Sequence, residues 1–219
     1  MIEWKKKEGE TVAKCVIFCA GGFDGLIEPI NESDFVIAAD GGFVHVQTLG
    51  LMPQLILGDF DSLGYTPEGA QVFPVEKDDT DAMLAVRVGL EKGYREFLLY
   101  GSLYGERLDH TVANFQTLQY LADHNARGVC VGKRYIAAVI KNETVRFSET
   151  AKGVLSVFCM GADAEGVSIR GAKYEAEEVT LSAGFPLGVS NHFIEKECSV
   201  TVKEGSLLLL YDRENGLPR

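Results

Sequence analysis

Gly58-Asp59-Phe60-Asp61-Ser62 follows the short apolar run Leu55-Ile56-Leu57, and its reading governs the rest of the chain. The run has the length and composition of a buried strand. Two carboxylates stand two residues apart where it ends. In an extended segment alternate side chains point to the same side, so Asp59 and Asp61 are expected to face one target. Adjacent anions repel, and a bare buried charge is costly. A hard cation removes both problems, because magnesium is commonly held by one or two carboxylates together with phosphate oxygens. A polar turn that happens to carry two aspartates is the competing reading, and the neighbouring segments decide between them.

Upstream, Cys15-Val16-Ile17-Phe18-Cys19-Ala20 is a continuous apolar run that ends in Gly21-Gly22. Phe35-Val36-Ile37-Ala38-Ala39 is a second, ending in Asp40-Gly41-Gly42. Phe43, Val46 and Leu49 then recur at helical spacing, with Gly50 as a stop and Pro53 beyond it. Downstream, a short strand over Val72 to Val75 leads into Lys77-Asp78-Asp79-Thr80-Asp81. A helix follows through Met83, Val86, Val88 and Leu90 to Gly93, with Asp79 or Thr80 as its N-cap. Phe97-Leu98-Leu99-Tyr100 reads as another buried strand, ending in Gly101-Ser102. After the loop 103–106, Arg107-Leu108-Asp109-His110 opens a long helix with Leu108, Val112, Phe115, Leu118 and Ala122 on one face.

Apolar strands alternating with amphipathic helices predict an α/β domain with a mostly parallel sheet. Asp40, Asp59, Asp61 and Ser102 all follow carboxyl ends of predicted strands, and Asp81 opens a helix. Ligands of open α/β sheets bind at that edge, so these groups are expected to converge on one rim. After about Gly132 helical periodicity fades. Short strand-like runs (136–140, 144–147, 154–159, 167–169, 179–181, 198–202 and 207–211) alternate with glycine-marked turns, the pattern of an all-β sandwich. The expected division is 1–134 for the α/β domain and 135–219 for the β-sandwich.

The chain has 219 residues, enough for one large domain or two small ones, and 46% hydrophobic and 24% charged residues are ordinary for a globular protein. A net charge of −11 argues against nucleic acid or an anionic membrane as a partner. It leaves room for a phosphate ligand held through bridging metal. Five scattered cysteines without a C-x-x-C, mostly in apolar runs, read as core thiols of a reducing compartment. The four histidines show no metal-ligand spacing. The charged N-terminus lacks a signal-like apolar region, and no apolar stretch approaches the roughly 20 residues of a membrane span. The expectation is cytoplasmic.

The ordered motifs Ala39-Asp40-Gly41-Gly42, Gly58-Asp59-Phe60-Asp61-Ser62, Lys77-Asp78-Asp79-Thr80-Asp81 and Gly105-Glu106-Arg107-Leu108-Asp109-His110 running into Asn114 together resemble thiamine pyrophosphokinase. Gly171-Ala172-Lys173-Tyr174, Gly188-Val189-Ser190-Asn191 and the closing run from Gly205 to Tyr211 extend the resemblance nearly to the end. It implies an α/β catalytic, nucleotide-binding domain, a thiamine-binding β-sandwich, and a homodimer with thiamine in a cleft between subunits. The implied reaction moves a diphosphoryl group from ATP to the thiamine hydroxyl, giving thiamine diphosphate and AMP, with Mg2+ as cofactor. By match to the family, Asp59, Asp61 and Asp81 are metal or metal-water ligands. Asp40, Gly41, Gly42, Lys77, Thr80 and Ser102 lie against the nucleotide. Arg107 holds phosphate, and Asp109 either orients Arg107 or serves as base. Ser190 and Asn191 hydrogen-bond the pyrimidine of thiamine, and Phe193 is placed to stack on it. Some relatives use a tryptophan there, whereas this chain has only Trp4.

Plainer readings stand beside these. Asp40, Thr80 and Asp81 are good helix-capping residues. Arg107 and Asp109 make an ordinary surface ion pair, and Lys77 a solvated cation. His110 reads as a packed or capping residue, and Ser190-Asn191 as a turn. A phosphatase of the haloacid dehalogenase type also sets D-x-D after a strand, but it wants Thr or Val where this chain has Leu63. A pyrophosphokinase for another heterocyclic alcohol, pterin-like, and a non-catalytic nucleotide- or thiamine-binding module are the other rivals.

Overall fold

The computed structural model describes residues 12–61, 63–73, 79–105 and 107–218. It divides into two compact units that meet in sequence at Lys133 and Arg134. Trp4, Ser62, Val75 and Lys77 lie outside the described residues.

The first unit holds strands β1 (Cys15–Phe18), β2 (Phe35–Ala39), β3 (Leu55–Gly58), β4 (Gln71–Val72), β5 (Glu96–Tyr100) and β6 (Arg127–Val131). They lie side by side in the order β6-β5-β1-β2-β3-β4, every pair parallel. Continuous apolar runs make this arrangement: β1 and β5 are buried along nearly their whole length, as a parallel sheet covered on both faces demands. The helices are α1 (Phe43–Thr48), α2 (Asp81–Glu91) and α3 (Leu108–Asp123). Thr80 caps α2, its hydroxyl accepting from the Met83 N–H at 3.2 Å. β6 escaped the sequence reading: Arg127-Gly128-Val129-Cys130-Val131 is short and follows directly on a long helix.

The strand order carries a functional consequence. From β1 the chain adds β2, β3 and β4 on one side, then returns to add β5 and β6 on the other. The order reverses between β1 and β5, and such a reversal opens a crevice at the carboxyl ends of the strands where ligands bind.

The second unit is antiparallel. Strands β7 (Tyr135–Lys141), β8 (Thr144–Phe147), β9 (Val154–Cys159), β10 (Ala164–Arg170), β11 (Ala176–Leu181), β12 (Gly188–His192), β13 (Cys198–Thr201) and β14 (Ser206–Asp212) run in the orders β12-β9-β14-β7 and β11-β10-β13-β8. The two layers face each other through Phe147, whose ring lies 5.0 Å from those of Tyr211 and Phe193. Strand alternation supplies that core: Val145 and Phe147 are buried while Arg146 between them is exposed. β12 was not legible as a strand. Ser190 adopts φ +60° and the pairing register breaks between Gly188 and Asn191, so no period-two pattern survives there. Among the described residues no helix is long and apolar enough to cross a membrane.

Candidate active site

The carboxyl ends of the first unit's strands surround a cavity of about 830 Å³ whose wall includes Gly21, Asp40, Asp61, Asp81, Ser102 and Arg107. Residues 19–22 after β1 and Gly101 and Ser102 after β5 both line it, so it includes the crevice between those strands. Two close backbone approaches draw the loops together. A Cβ on Gly42 would come within 1.9 Å of the Phe18 carbonyl oxygen, so the turn Asp40–Gly42 can lie on the end of β1 only as glycine. Gly101, at φ +65°, stands where a Cβ would meet the Cys19 carbonyl oxygen at 2.4 Å. With that space open, Gly21 N–H donates to the Gly101 carbonyl (2.9 Å) and Gly22 N–H to that of Tyr104 (3.2 Å).

Asp40, Asp59 and Asp81 meet at this rim. One carboxylate oxygen from each lies within 4.8 Å of the others, and all three residues are half-buried. Adjacency of β2 and β3, with Ala39 opposite Leu57, brings the first two together, and the start of α2 delivers the third. Asp61 does not belong to this trio. The expectation that it shares a face with Asp59 assumed extended backbone, but β3 stops at Gly58 and Phe60 takes φ +59° with its ring buried. The segment turns instead, Asp61 N–H donating to Asp59 Oδ1 at 3.2 Å, and Asp61 stands exposed on the cavity wall. Gly42 faces the β1 backbone and not the cavity, so the close approach it permits is to Phe18.

Arg107 and Asp109 form a two-pronged pair, Nη2 to Oδ2 at 2.6 Å and Nε to Oδ1 at 3.2 Å. Hydrogen bonding to Arg107 holds the Asp109 carboxyl below its ordinary range. Arg107, also within the field of Asp61, is held further toward its charged form, chiefly by its hydrogen bond to Asp109. The Ser102 hydroxyl donates to the Leu99 carbonyl at 2.6 Å; it is committed to the backbone, and Ser102 serves as wall. Buried Asn114 donates to the Ser102 carbonyl at 2.7 Å and ties α3 to this loop. At the start of α2, Arg87 pairs with Asp79 at 2.5 Å.

Sequence reading missed His45 and Tyr104 on the cavity wall. His45 Nε2–H donates to the Gly21 carbonyl at 2.9 Å and its ring lies 5.1 Å from that of Phe23. His110, read as packed or capping, is exposed and lines the cavity. Cys19 also reaches the wall, and burial pushes its thiol up. Cys15 and Cys130 are likewise pushed up to about 12 by burial. These thiols stay neutral and add no charge to the rim.

Ser190, Asn191 and Phe193 belong to the second unit, and two of them correct the sequence reading. Asn191 is 4% exposed. Its Oδ1 accepts from Tyr174 N–H and His192 N–H, both at 2.9 Å, and its Nδ2 donates to the Tyr174 carbonyl at 2.7 Å. The amide fastens β12 to the 171–174 turn and is not presented to a ligand. Phe193 is buried against Phe147, so its ring is core. Ser190 is exposed, its N–H donating to the Ser156 hydroxyl at 3.0 Å.

Residues 27–130 match the model of the thiamin pyrophosphokinase catalytic domain, and residues 142–208 that of the thiamin pyrophosphokinase vitamin B1 binding domain. The chain belongs to the thiamin pyrophosphokinase family. It is 26% identical over 210 residues to thiamine pyrophosphokinase of Bacillus subtilis, covering 90% of this chain and 98% of that protein. The crystal structure of the B. subtilis enzyme superposes with a TM-score of 0.77 at 24% identity, over 91% of this chain and 98% of that one. Yeast thiamin pyrophosphokinase gives 0.71 at 15% identity, over 94% and 88%. At these identities the two structures speak for the fold, which the family shares: a mostly parallel α/β part followed by an antiparallel β-rich part.

Proposed function

We infer that the chain is a kinase that transfers a diphosphoryl group from ATP to the hydroxyl of thiamine, yielding thiamine diphosphate and AMP. The observation that carries this reading is the meeting of Asp40, Asp59 and Asp81 within 4.8 Å at the carboxyl edge of a parallel sheet. Three like charges gathered at one point repel, and the chemistry of the donors, all carboxylate oxygens, suits a hard divalent cation such as Mg2+. Asp40, Asp59 and Asp81 would hold it, with exposed Asp61 reaching it through water. Bound there, Mg2+ would offset the negative charge of the polyphosphate and make its phosphorus a better electrophile.

The chain's own groups supply position and charge, the main demands of phosphoryl transfer. Arg107 offers a planar fork to phosphate oxygens. Asp109 orients that fork. Its lowered pKa makes it a weak proton acceptor, which favours the orienting role over the base. Thr80 fixes the start of α2 and so the direction of Asp81. The vitamin B1 binding domain match over residues 142–208 favours thiamine over a pterin-like alcohol. There, Ser190 offers an exposed hydroxyl, with Asn191 shaping the turn behind it. A homodimer with thiamine at the subunit interface is the assembly the family implies. The five free thiols suit the cytoplasm, and the net charge of −11 suits no nucleic-acid or membrane partner.

Incubation with ATP and Mg2+ tests the reading. AMP and thiamine diphosphate are expected in equal amounts, only when thiamine is present, and not after chelation of the metal. AMP release indifferent to thiamine, or none with it, would sink the assignment.

A further inference from the structure

Among the described residues that line the cavity, Tyr104 is the one Phe, Tyr or Trp. Its placement is unusual in three respects. It stands in the loop that follows β5, on the crevice where the strand order reverses. Its backbone takes φ +62°, a left-handed conformation that is strained for a residue with a bulky side chain and that clusters at ligand sites. Its carbonyl accepts from Gly22 N–H at 3.2 Å, and a Cβ on Gly132 would meet two of its ring carbons at 2.9 Å. The ring is thus seated against backbone yet 49% exposed. A large aromatic surface is held on left-handed backbone with about half of it facing water.

We propose that Tyr104 is the platform on which the nucleobase of the phosphoryl donor stacks. This rests on the kinase reading above and adds to it a residue that recognises the donor's base. A nucleotide's base is covalently tied to its phosphates, so it must lie in the cavity that holds Asp40, Asp81 and Arg107. A cavity of about 830 Å³ falls within the range of small-molecule and cofactor sites. Of the two imidazole rings on that wall, His45 is engaged with Gly21 and Phe23, and exposed His110 offers a smaller face than the Tyr104 phenol ring. Stacking on one ring is tolerant of base identity, so the donor's base contributes affinity more than selectivity between purines.

The test compares two probes, α,β-methylene-ATP and inorganic tripolyphosphate, each with Mg2+, by titration calorimetry. The proteins are wild type, Tyr104→Phe, Tyr104→Ala and Tyr104→Gly. Loss of the ring is expected to weaken the nucleotide analogue by about tenfold in Tyr104→Ala and Tyr104→Gly, with Tyr104→Phe close to wild type, because stacking uses the π-face alone. Tripolyphosphate, which has no base, should bind all four equally. Tyr104→Gly relieves the left-handed backbone, so its melting temperature should match or exceed wild type while nucleotide affinity falls, a split no merely structural residue gives. Equal losses for both probes, no loss, or a Tyr104→Phe as weak as Tyr104→Ala would each overturn the proposal. Wild type that binds neither probe removes the kinase reading with it. Wild type that binds both, with Tyr104→Ala unaltered, removes only the role of Tyr104.

Discussion

The two units use polar side chains in opposite ways. In the second, they are spent on the main chain: Asn191 holds the 171–174 turn, Asn142 Oδ1 accepts from Gly205 N–H at 2.9 Å, and Asp212 Oδ2 from Val154 N–H at 2.7 Å. Each satisfies a backbone group that would otherwise be stranded in a loop or strand end. In the first unit Asp40, Asp59 and Asp81 are gathered where they repel one another. One unit is arranged for its own stability, and the other gives up some stability to face a cavity. A polar residue on a sheet edge is therefore better judged by what its atoms already bond than by its type.

The sharpest way to break this contrast is Asp59→Asn. Turnover should fall by at least about a hundredfold, the scale seen when a group stabilising transition-state charge is lost. Urea stability should hold or rise, since one of three like charges is gone. Undiminished AMP release would take Asp59 out of the site. Next in size is Asn191→Ala, which removes the acceptor of the Tyr174 and His192 N–H groups and the donor to the Tyr174 carbonyl. It should cost about 2 kcal/mol by chemical denaturation and raise the KM for thiamine while leaving that for ATP alone. Equal changes in both KM values would contradict its place beside the thiamine side of the reaction. The smallest effect is expected from Tyr211→Phe. The Tyr211 hydroxyl is fully buried with no hydrogen-bond partner among the described residues, and burial pushes its phenol up. Removing a desolvated hydroxyl should stabilise by up to about 1 kcal/mol. A loss of stability would show that the second unit leans on that oxygen.

Much of this was legible in the sequence. Continuous apolar runs located β1, β2, β3 and β5, and the switch to short alternating runs located most of the second unit, because burial on two faces or one leaves different periodicities. The convergence of acids was legible only in outline. Spacing along the chain says where a strand ends but not which strand lies beside it, so the union of Asp40 with Asp59 waited on the order β1-β2-β3. The turn at Phe60 was hidden for another reason: a left-handed phenylalanine has no composition signal. Asn191 and Phe193 were read as ligand-facing because polar and aromatic residues in a glycine-bearing stretch look alike whether they face out or in.

The cavity wall draws on residues from Cys19 to Asn114, contributed by the ends of β1, β2 and β5 and the starts of α2 and α3. No contiguous fragment short of that span contains it. During synthesis the ribosome must release just over half of these 219 residues, through Asn114 in α3, before the whole wall exists. A chain interrupted earlier therefore lacks part of the wall that α3 supplies.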